Sequence, residues 1–365
     1  MSNNFLEKIF SVKNENIHKI VCIFGIKFKF KRKGLPFRVF CELKEKLDTH
    51  LLLNEDIMYL YPSDSWWKKE NFEFFKDREK LQNKYLNLIR GMDIESIDTI
   101  SRVISRIQEY VLEGKTHFLL TEKEKAERRL CRLFLEEKIE LANGNYARRG
   151  YILPQEKMEF SVFVYKHGLN AIRFPERFKN KEIIDVGAYI GDSALVFSDL
   201  TNNHVHAFEP VKDLYDKMIE TINLNSKTNI IPKCIALGAE EKTEIMRRDG
   251  ICSAIDSCLI NAQGEDIVED IPVSTLDKYV AENNLQVGLI KVDIEGYEQE
   301  FLKGAMETIK SQRPTLIMSI YHNSSDFFDI KPLIENLNLG YKFRVFKGFD
   351  YSIFVDTVLI CEVEE

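Results

Sequence analysis

The pattern of hydrophobic and polar residues changes twice along the chain. At the start it alternates with a period of two, as in Lys27–Lys31, and nearby glycines interrupt it, which predicts short strands. In the middle, apolar residues recur every three or four positions, which predicts helices. In the last part, short apolar runs alternate with helical stretches. We therefore divide the chain into a basic β-hairpin-like extension (1–40), a helical domain (41–145) and an α/β domain (146–365).

Two helices of the middle region carry clear start signals. Asp93 precedes a long run of helical apolar spacing and is a predicted N-cap. Thr121 and Glu124 have the spacing of a capping box, so another helix is expected to begin there. Its predicted buried side contains three residues: Leu130, Leu133 and Phe134. Because no catalytic constellation is evident in residues 41–145, we assign them a role in acceptor binding or oligomerisation.

Seven apolar runs in the last region are expected to form one sheet. They are Ile183–Val186, Val205–Phe208, Ile230–Ile235, Leu289–Val292, Leu316–Ile320, Tyr341–Phe346 and Phe354–Cys361. Strands that alternate with helices form parallel sheets that are covered on both faces. The last two runs are too close for a helical crossover, so the final strand is predicted to be antiparallel. This is the Rossmann-like sheet of methyltransferases, mostly parallel with an antiparallel last strand, preceded here by a mainly helical region.

Charge is distributed unevenly along the chain. The 365 residues carry a net charge of −7, but residues 1–40 hold nine Lys and Arg against two Glu, a balance of +7, so the remainder sums to −14. An acidic body disfavours nucleic acid as a partner. The basic residues in 27–38 would suit peripheral contact with an anionic membrane surface or glycan. The simpler interpretation is a solvated basic hairpin.

The chain shows no sign of membrane insertion or secretion. It has no apolar run of about 18 residues, and its N-terminus does not resemble a signal peptide. Its seven cysteines are odd in number and form no CxxC pair. We therefore expect reduced thiols and a cytoplasmic location. The oligomeric state is left open.

The segment Asp185–Asp192 carries the most informative chemical pattern. A predicted strand leads into an acid, and Gly187 and Gly191 follow four residues apart, before a predicted helix. Glycines there let the backbone turn sharply and approach a ligand at the carboxyl edge of a sheet. Glu209 ends the next predicted strand, where an acid accepts hydrogen bonds from ribose hydroxyls. This geometry suits both a nicotinamide dinucleotide and S-adenosylmethionine.

Two features favour S-adenosylmethionine as the cofactor. Tyr189 occupies the position at which a dinucleotide-binding loop has a glycine beside the pyrophosphate. The Asp185 carboxylate would disfavour phosphate but attract the positively charged sulfonium and amino groups. The alternatives are an NAD-dependent oxidoreductase and a non-catalytic protein that binds S-adenosylmethionine.

Residues from about 146 to the end resemble FkbM-type methyltransferases. The matching segments are Asp185–Asp192, Phe208–Pro210, Asn223–Asn225, Ala236–Gly238, Ser274–Asp277, Ile290–Glu298 and Leu302–Ala305. The resemblance implies S-adenosylmethionine-dependent O-methylation, often of a sugar or polyketide hydroxyl. The bacterial surface-glycan branch is most similar, because Ile320–Asn323 and Asp356–Leu359 also match it. This implies a carbohydrate or nucleotide-sugar acceptor in capsule or lipopolysaccharide biosynthesis.

The resemblance and the strand-end positions together predict the cofactor site. Its residues are Asp185, Gly187, Ala188, Tyr189, Gly191, Asp192, Glu209, Pro210, Ala236, Leu237 and Asp293.

A sugar hydroxyl is a poor nucleophile while protonated, so a general base is expected. His322 is the favoured base, because it follows a predicted strand and histidine titrates in the useful range. Asp293 and Glu295 follow the neighbouring strand, and Lys291 is expected to pair with one of them. Glu295 has a second interpretation as a helix cap. No metal is expected; the alternative is a divalent ion held by Asp293, Glu295 and His322.

Overall fold

The structure, a computed structural model, describes residues 10–15, 18–23, 26–31, 56–59, 65–249, 252–255 and 267–364. It divides into two compact units, Met1–Met58 and Tyr59–Glu365. The predicted basic segment 27–38 lies outside the described residues from residue 32 onward, as do residues 41–55 of the predicted helical domain.

The first unit contains a small antiparallel sheet. Its strands are β1 (Phe10–Glu15), β2 (His18–Ile23) and β3 (Ile26–Lys31), in that order across the sheet. Glu15 pairs with His18 at the end of β1, and Ile23 pairs with Ile26 at the end of β2. The short strands predicted here are present, as a three-stranded meander rather than a single hairpin.

Helices dominate residues 65–136. The elements are β4 (Ile57–Tyr59), α1 (Ser65–Lys76), α2 (Arg78–Ile89), α3 (Ile94–Glu113), β5 (His117–Leu119) and α4 (Glu122–Glu136). Both predicted caps are confirmed: Asp93 accepts a hydrogen bond from the Ser96 amide at 2.9 Å, and Thr121 and Glu124 form the capping box. Among the described residues, no helix has the length and apolar character needed to cross a membrane.

The predicted buried side of α4 is correct for Phe134 only. Leu130 and Leu133 are 48% and 55% exposed, whereas Arg128 and Cys131 are buried with Phe134. The buried face of α4 is therefore shifted by one residue relative to the predicted face. The guanidinium of Arg148 lies 4.2 Å from the centre of the Phe134 ring, and Phe160 packs edge-on against the same ring. These tertiary contacts select the inward face of α4, and the apolar spacing of the helix does not encode them.

The rest of the second unit runs in the following order. The elements are β6 (Ile139–Glu140), β7 (Tyr146–Arg148), β8 (Tyr151–Leu153), α5 (Phe160–Phe163), two 3₁₀ helices (Lys166–Ala171 and Pro175–Arg177), β9 (Glu182–Val186), α6 (Asp192–Ser198), β10 (Val205–Phe208), α7 (Lys212–Leu224), β11 (Ile230–Lys233), β12 (Ala236–Leu237), β13 (Lys242–Asp249), β14 (Cys252–Ile255), β15 (Ile267–Ser274), α8 (Leu276–Asn283), β16 (Val287–Val292), α9 (Glu298–Gly304), α10 (Met306–Gln312), β17 (Thr315–Ser319), α11 (Ser324–Glu335), β18 (Tyr341–Phe346) and β19 (Val358–Val363).

The predicted Rossmann-like sheet is confirmed. Its seven strands lie in the order β11-β10-β9-β16-β17-β19-β18, and only β19 runs antiparallel to its neighbours. The last strand begins at Val358 rather than at Phe354. Phe354 is fully buried, but its carbonyl accepts a hydrogen bond from the Thr357 amide in a turn, so its apolar character reflects loop burial and not a strand. A second sheet, β12-β15-β13-β14, was not predicted.

The carboxyl ends of β9 and β16 approach each other closely. These strands are parallel neighbours, and the amide of Asp293 donates to the carbonyl of Val186 at 3.1 Å. A Cβ atom on Gly187 would lie 1.9 Å from the carbonyl oxygen of Asp293. Only glycine therefore permits this approach, and the φ of Gly187 is +77°, a left-handed conformation that side chains disfavour.

Gly187→Ala should lose more stability than a matched glycine substitution. Gly144 has a φ of +80° with no atom within 4 Å of its virtual Cβ, so Gly144→Ala isolates the conformational cost of about 1–2 kcal/mol. Gly187→Ala adds a backbone collision, which we expect to cost at least about 1–3 kcal/mol more. Urea unfolding of both variants measures the difference. Equal losses would contradict the close approach of β9 and β16.

Candidate active site

A cavity of about 340 Å³ lies at the carboxyl edge of the central sheet. Ten residues predicted from the sequence line it: Gly187, Tyr189, Asp192, Glu209, Pro210, Ala236, Leu237, Lys291, Asp293 and Glu295. Four predicted residues do not line it: Asp185, Ala188, Gly191 and His322. The fold thus brings most of the predicted residues to one cavity and places the others behind its wall.

The two glycines of the turn between β9 and α6 are required for different structural reasons. Gly187 lets β9 approach β16. Gly191 precedes α6 with a φ of +84°, and a Cβ there would lie 2.9 Å from Cγ of Met218 in α7. Gly191 therefore serves helix packing, and Ala188 is fully buried beside it.

Glu209 ends β10 and has its carboxylate fixed by the backbone. The amides of Tyr189 and Val211 each donate to it at 3.0 Å, and only 6% of the residue is exposed. Tyr189 itself has a φ of 50°, so the turn that follows β9 is bent toward this carboxylate. The result is a rigidly oriented acid on the cavity wall, at the strand tip where a ribose-binding acid is expected.

Asp185 and Lys291 form a buried ion pair behind the cavity wall. Their closest N···O distance is 3.1 Å, and Asp185 also accepts a hydrogen bond from the Ser193 hydroxyl at 2.6 Å. Burial opposes the charge on Lys291, but the carboxylates of Asp185 and Asp293 outweigh it and raise the pKa of Lys291. The negative charge of Asp185 is thus balanced inside the protein, rather than by a bound cation as the sequence suggested. Lys291 pairs with Asp185, not with Asp293 or Glu295.

His322 lies behind Asp293 and is surrounded by three carboxylates. Its Nδ1 atom is 2.9 Å from Oε1 of Glu298, and its Nε2 atom is 3.4 Å from Asp293 and 3.5 Å from Glu295. Burial opposes the charge on His322, but Glu298, Glu295 and Asp293 outweigh it and raise the pKa of His322 to about 10. At neutral pH the ring is therefore a cation. A protonated imidazole has no lone pair to accept a proton, so this environment argues against His322 as the general base.

Asp293 lines the cavity in front of His322. The Tyr321 hydroxyl donates to its Oδ1 atom at 3.1 Å. Burial favours protonation of Asp293, but the positive charges of His322 and Lys291 outweigh it and hold the pKa of Asp293 below its usual value. Asp293 is therefore ionised at neutral pH.

The structure replaces one of the three residues in the alternative prediction of a metal site. The donor atoms that lie within 4.8 Å of one another belong to Asp293, Glu298 and His322, with Glu298 in place of Glu295. The Glu295 side chain is 43% exposed, and it does not cap α9, whose N-cap is Tyr297. A metal-ligating imidazole needs a free lone pair, whereas both nitrogens of His322 face carboxylates. The arrangement fits a salt-bridged imidazolium better than a metal centre.

Residues 185–343 match the family model described as the methyltransferase FkbM domain. This segment is therefore similar to the methyltransferase FkbM domain. The chain is also 27% identical over 157 residues to the hexuronic acid methyltransferase AglP of Haloferax volcanii, a match that covers 43% of this chain and 62% of AglP. The crystal structure of methyltransferase FkbM from Methylobacillus flagellatus KT superposes with a TM-score of 0.53 at 18% identity, over 81% of this chain and 62% of that one. At that identity the similarity shows the fold alone, and the chain spans less than two thirds of either relative.

Several cavity residues were not among the predicted site residues, and three of them are polar side chains near Asp293 or at the loop before β19: His167, Tyr321 and Asp356. Tyr321 lies within the segment that matches the FkbM model, whereas His167 and Asp356 flank that segment in sequence. His167 lies in a 3₁₀ segment and Asp356 in the loop before β19, so no strand end marks them. His167 has no sequence signal beyond its residue type, and Asp356 entered the sequence analysis only as part of a segment that resembles the surface-glycan branch. Only the folded chain brings both residues to the cavity.

The charge on His322 should appear in the pH dependence of stability. Its pKa is about 10 in the folded protein and about 6.5 in an unfolded chain. The stabilisation from its ion pairs is therefore full below about pH 6.5 and is lost as pH rises toward about 10. We expect His322→Gln to unfold more easily at pH 7, with a gap to the wild type that narrows toward pH 10.

Chemical unfolding at pH 7, 8.5 and 10 measures this gap. His204→Gln is the matched control, because the His204 side chain is 51% exposed and should contribute little at any pH. A gap for His322→Gln that stays constant with pH would show that the ring is not a cation at neutral pH.

Proposed function

We propose that this protein is an S-adenosylmethionine-dependent O-methyltransferase that methylates a sugar hydroxyl. The observation that carries the proposal is the shared cavity: it places the rigid Glu209 carboxylate and the ionised Asp293 at the ends of β10 and β16, on either side of the glycine turn after β9. The FkbM domain match supports the same reaction class.

The cavity chemistry fits the methyl donor. Glu209 would hold the ribose hydroxyls, and Ala236 and Leu237 would offer an apolar wall to the adenine. Burial, and then the neighbouring Glu159, raise the pKa of Asp192 to about 7, so a cationic amino group beside these two acids would be stabilised. When bound, the donor supplies an electrophilic methyl group on a sulfonium. The same acids would repel the diphosphate of a nicotinamide dinucleotide, which disfavours the oxidoreductase alternative.

Asp293 is the proposed proton acceptor in place of His322. It lines the cavity, it is ionised, and the Tyr321 hydroxyl orients its carboxylate. Asp293 would take the proton of the acceptor hydroxyl as that oxygen forms its bond to the methyl carbon, while the bond from the methyl carbon to sulfur breaks and S-adenosylhomocysteine would leave. His322 would stay protonated behind it and hold the three neighbouring carboxylates in place.

Two similarities support a sugar acceptor. AglP is by name a hexuronic acid methyltransferase, and the sequence resemblance is strongest to the surface-glycan branch. We therefore propose a carbohydrate or nucleotide-sugar acceptor in capsule or lipopolysaccharide biosynthesis. No described residue of α1–α4 lines the cavity, so residues 41–145 are proposed to contact the outer part of a large acceptor or another subunit.

Removing the Glu209 charge should weaken donor binding. We expect Glu209→Gln to weaken S-adenosylhomocysteine binding by about 1.5–3 kcal/mol, the usual value of a charged hydrogen bond. Isothermal titration calorimetry measures this. Glu241→Gln is the control, because Glu241 is an acid on the surface that pairs only with Lys278 there. Unchanged affinity in a folded Glu209→Gln variant would remove Glu209 from the donor site.

Replacing Asp293 should separate catalysis from donor binding. With S-adenosylmethionine and a panel of sugar acceptors, mass spectrometry should find a product heavier by one CH₂ group. Asp293→Asn should lower turnover by about 10²–10⁴-fold, the usual contribution of a general base, with a much smaller change in donor affinity. A chelator should have no effect. Loss of activity with chelator and its recovery with a divalent ion would instead establish the metal alternative.

A further inference from the structure

His167 presents an unpaired imidazole to the cavity. It lines the cavity with Asp293 and Tyr321, and neither of its ring nitrogens forms a hydrogen bond with another residue of the described chain. Burial, together with the charge of Lys291, lowers the pKa of His167 to about 3, so the ring is neutral. A neutral imidazole offers one hydrogen-bond donor and one acceptor, the pair that a sugar hydroxyl requires.

The backbone holds His167 in a disfavoured conformation. Its φ and ψ are 51° and 35°, in the left-handed region, and Gly168 follows with a φ of 88°. A Cβ on Gly168 would lie 2.9 Å from Val358, so the turn is pressed against β19 and fixes the direction of the imidazole. Left-handed non-glycine residues persist where the surrounding structure enforces them, often at ligand sites. Tyr189, Glu295 and Asp356 also line the cavity in this conformation.

Asp356 forms part of a buried carboxyl pair in the same cavity. Its neighbour Asp350 is paired with Lys347. Burial and the charge of Asp350 raise the pKa of Asp356 well above its usual value. Of two buried carboxyl groups that lie close together, one tends to retain its proton. Asp356 therefore adds a second group that can hydrogen-bond to hydroxyls.

The cavity has no free positive charge among its described lining residues. Its two lysines are already paired: Lys157 lies 2.6 Å from Glu159, and Lys291 lies 3.1 Å from Asp185. Six acids line the same space: Glu159, Asp192, Glu209, Asp293, Glu295 and Asp356. A carboxylate on the acceptor would lose its hydration here without gaining a cation, which is unfavourable.

We propose that His167 and Asp356 form the acceptor end of the cavity, which takes an uncharged sugar ring and rejects a uronate. This inference rests on the proposed sugar methyltransferase function. His167 would act as a hydroxyl-binding residue that determines acceptor affinity, separate from the donor-binding residue Glu209.

The first test compares neutral sugars with the corresponding uronates, which differ from them only in carrying a carboxylate at one carbon. The full-length enzyme is given S-adenosylmethionine and the methyl glycosides of glucose, galactose and mannose, each beside its uronate. We expect a kcat/KM at least about 10-fold higher for an accepted neutral glycoside than for its uronate, a ratio that corresponds to about 1.4 kcal/mol of discrimination. Equal or better use of the uronate would overturn the inference.

The same experiment distinguishes failure of this inference from failure of the proposed sugar methyltransferase function. If no sugar in the panel is methylated while calorimetry shows S-adenosylhomocysteine binding, the sugar acceptor itself is wrong, and the inference falls with it. If neutral sugars are methylated but uronates are preferred, the sugar methyltransferase function stands and only the inference falls.

The second test isolates the His167 side chain from its backbone strain. Glycine and asparagine both tolerate the left-handed conformation, but only asparagine keeps hydrogen-bonding groups. We expect His167→Gly to raise the acceptor KM about 3- to 10-fold, the range for one lost hydrogen bond, with unchanged S-adenosylhomocysteine affinity. His167→Asn should recover part of this loss.

Lys166→Gly is the matched control for His167→Gly. Lys166 is the preceding left-handed residue, with a φ of 52°, and it does not line the cavity. Its substitution should leave the acceptor KM unchanged. Equal KM changes in the two glycine variants, or a wild-type KM in a folded His167→Gly enzyme, would overturn the role of His167.

Discussion

The buried ion pair between Lys291 and Asp185 is the interaction on which the rest of the site depends. It links the ends of β16 and β9, and Lys291 also donates to the carbonyl of Gly187 at 2.7 Å. Removing one partner of such a pair costs about 3–5 kcal/mol, because the other charge is left buried and unpaired. The pair therefore holds the glycine turn against β16. The conformation of this turn directs the amide of Tyr189 to the carboxylate of Glu209.

The same arrangement determines which charges reach the cavity. Lys291 and His322 are cations, but both are paired with carboxylates of the protein. Their charges are therefore already balanced before an anionic ligand could reach them. Acids such as Asp293 and Glu209 face the cavity instead. This distribution of charge is the basis for the proposed cationic methyl donor and uncharged acceptor, and the positive charges of His322 and Lys291 keep Asp293 ionised. The proposed exchange of roles between His322 and Asp293 follows from this distribution of charge.

Local patterns predicted the scaffold well, because each relies on contacts close in sequence. Asp93 and Thr121 cap helices through residues three positions away, and the seven apolar runs identified the strands of the central sheet. The exceptions depend on distant contacts. Phe354 is apolar because a loop buries it. Leu130 is exposed because α4 buries Arg128, Cys131 and Phe134, and Arg148 and Phe160 pack on Phe134.

The sequence by itself determined the strands of the sheet, their directions and the strand-end residues of the cavity, since a glycine turn and an acid after a strand have local causes. Only the tertiary structure decided the charge state of His322, because its pKa depends on Glu298 and Asp293 around it. It also decided that Asp185 faces inward and that His167 and Asp356 reach the cavity. Burial and the distances between charges arise from the packing of separate elements, and no local pattern of residue types contains them.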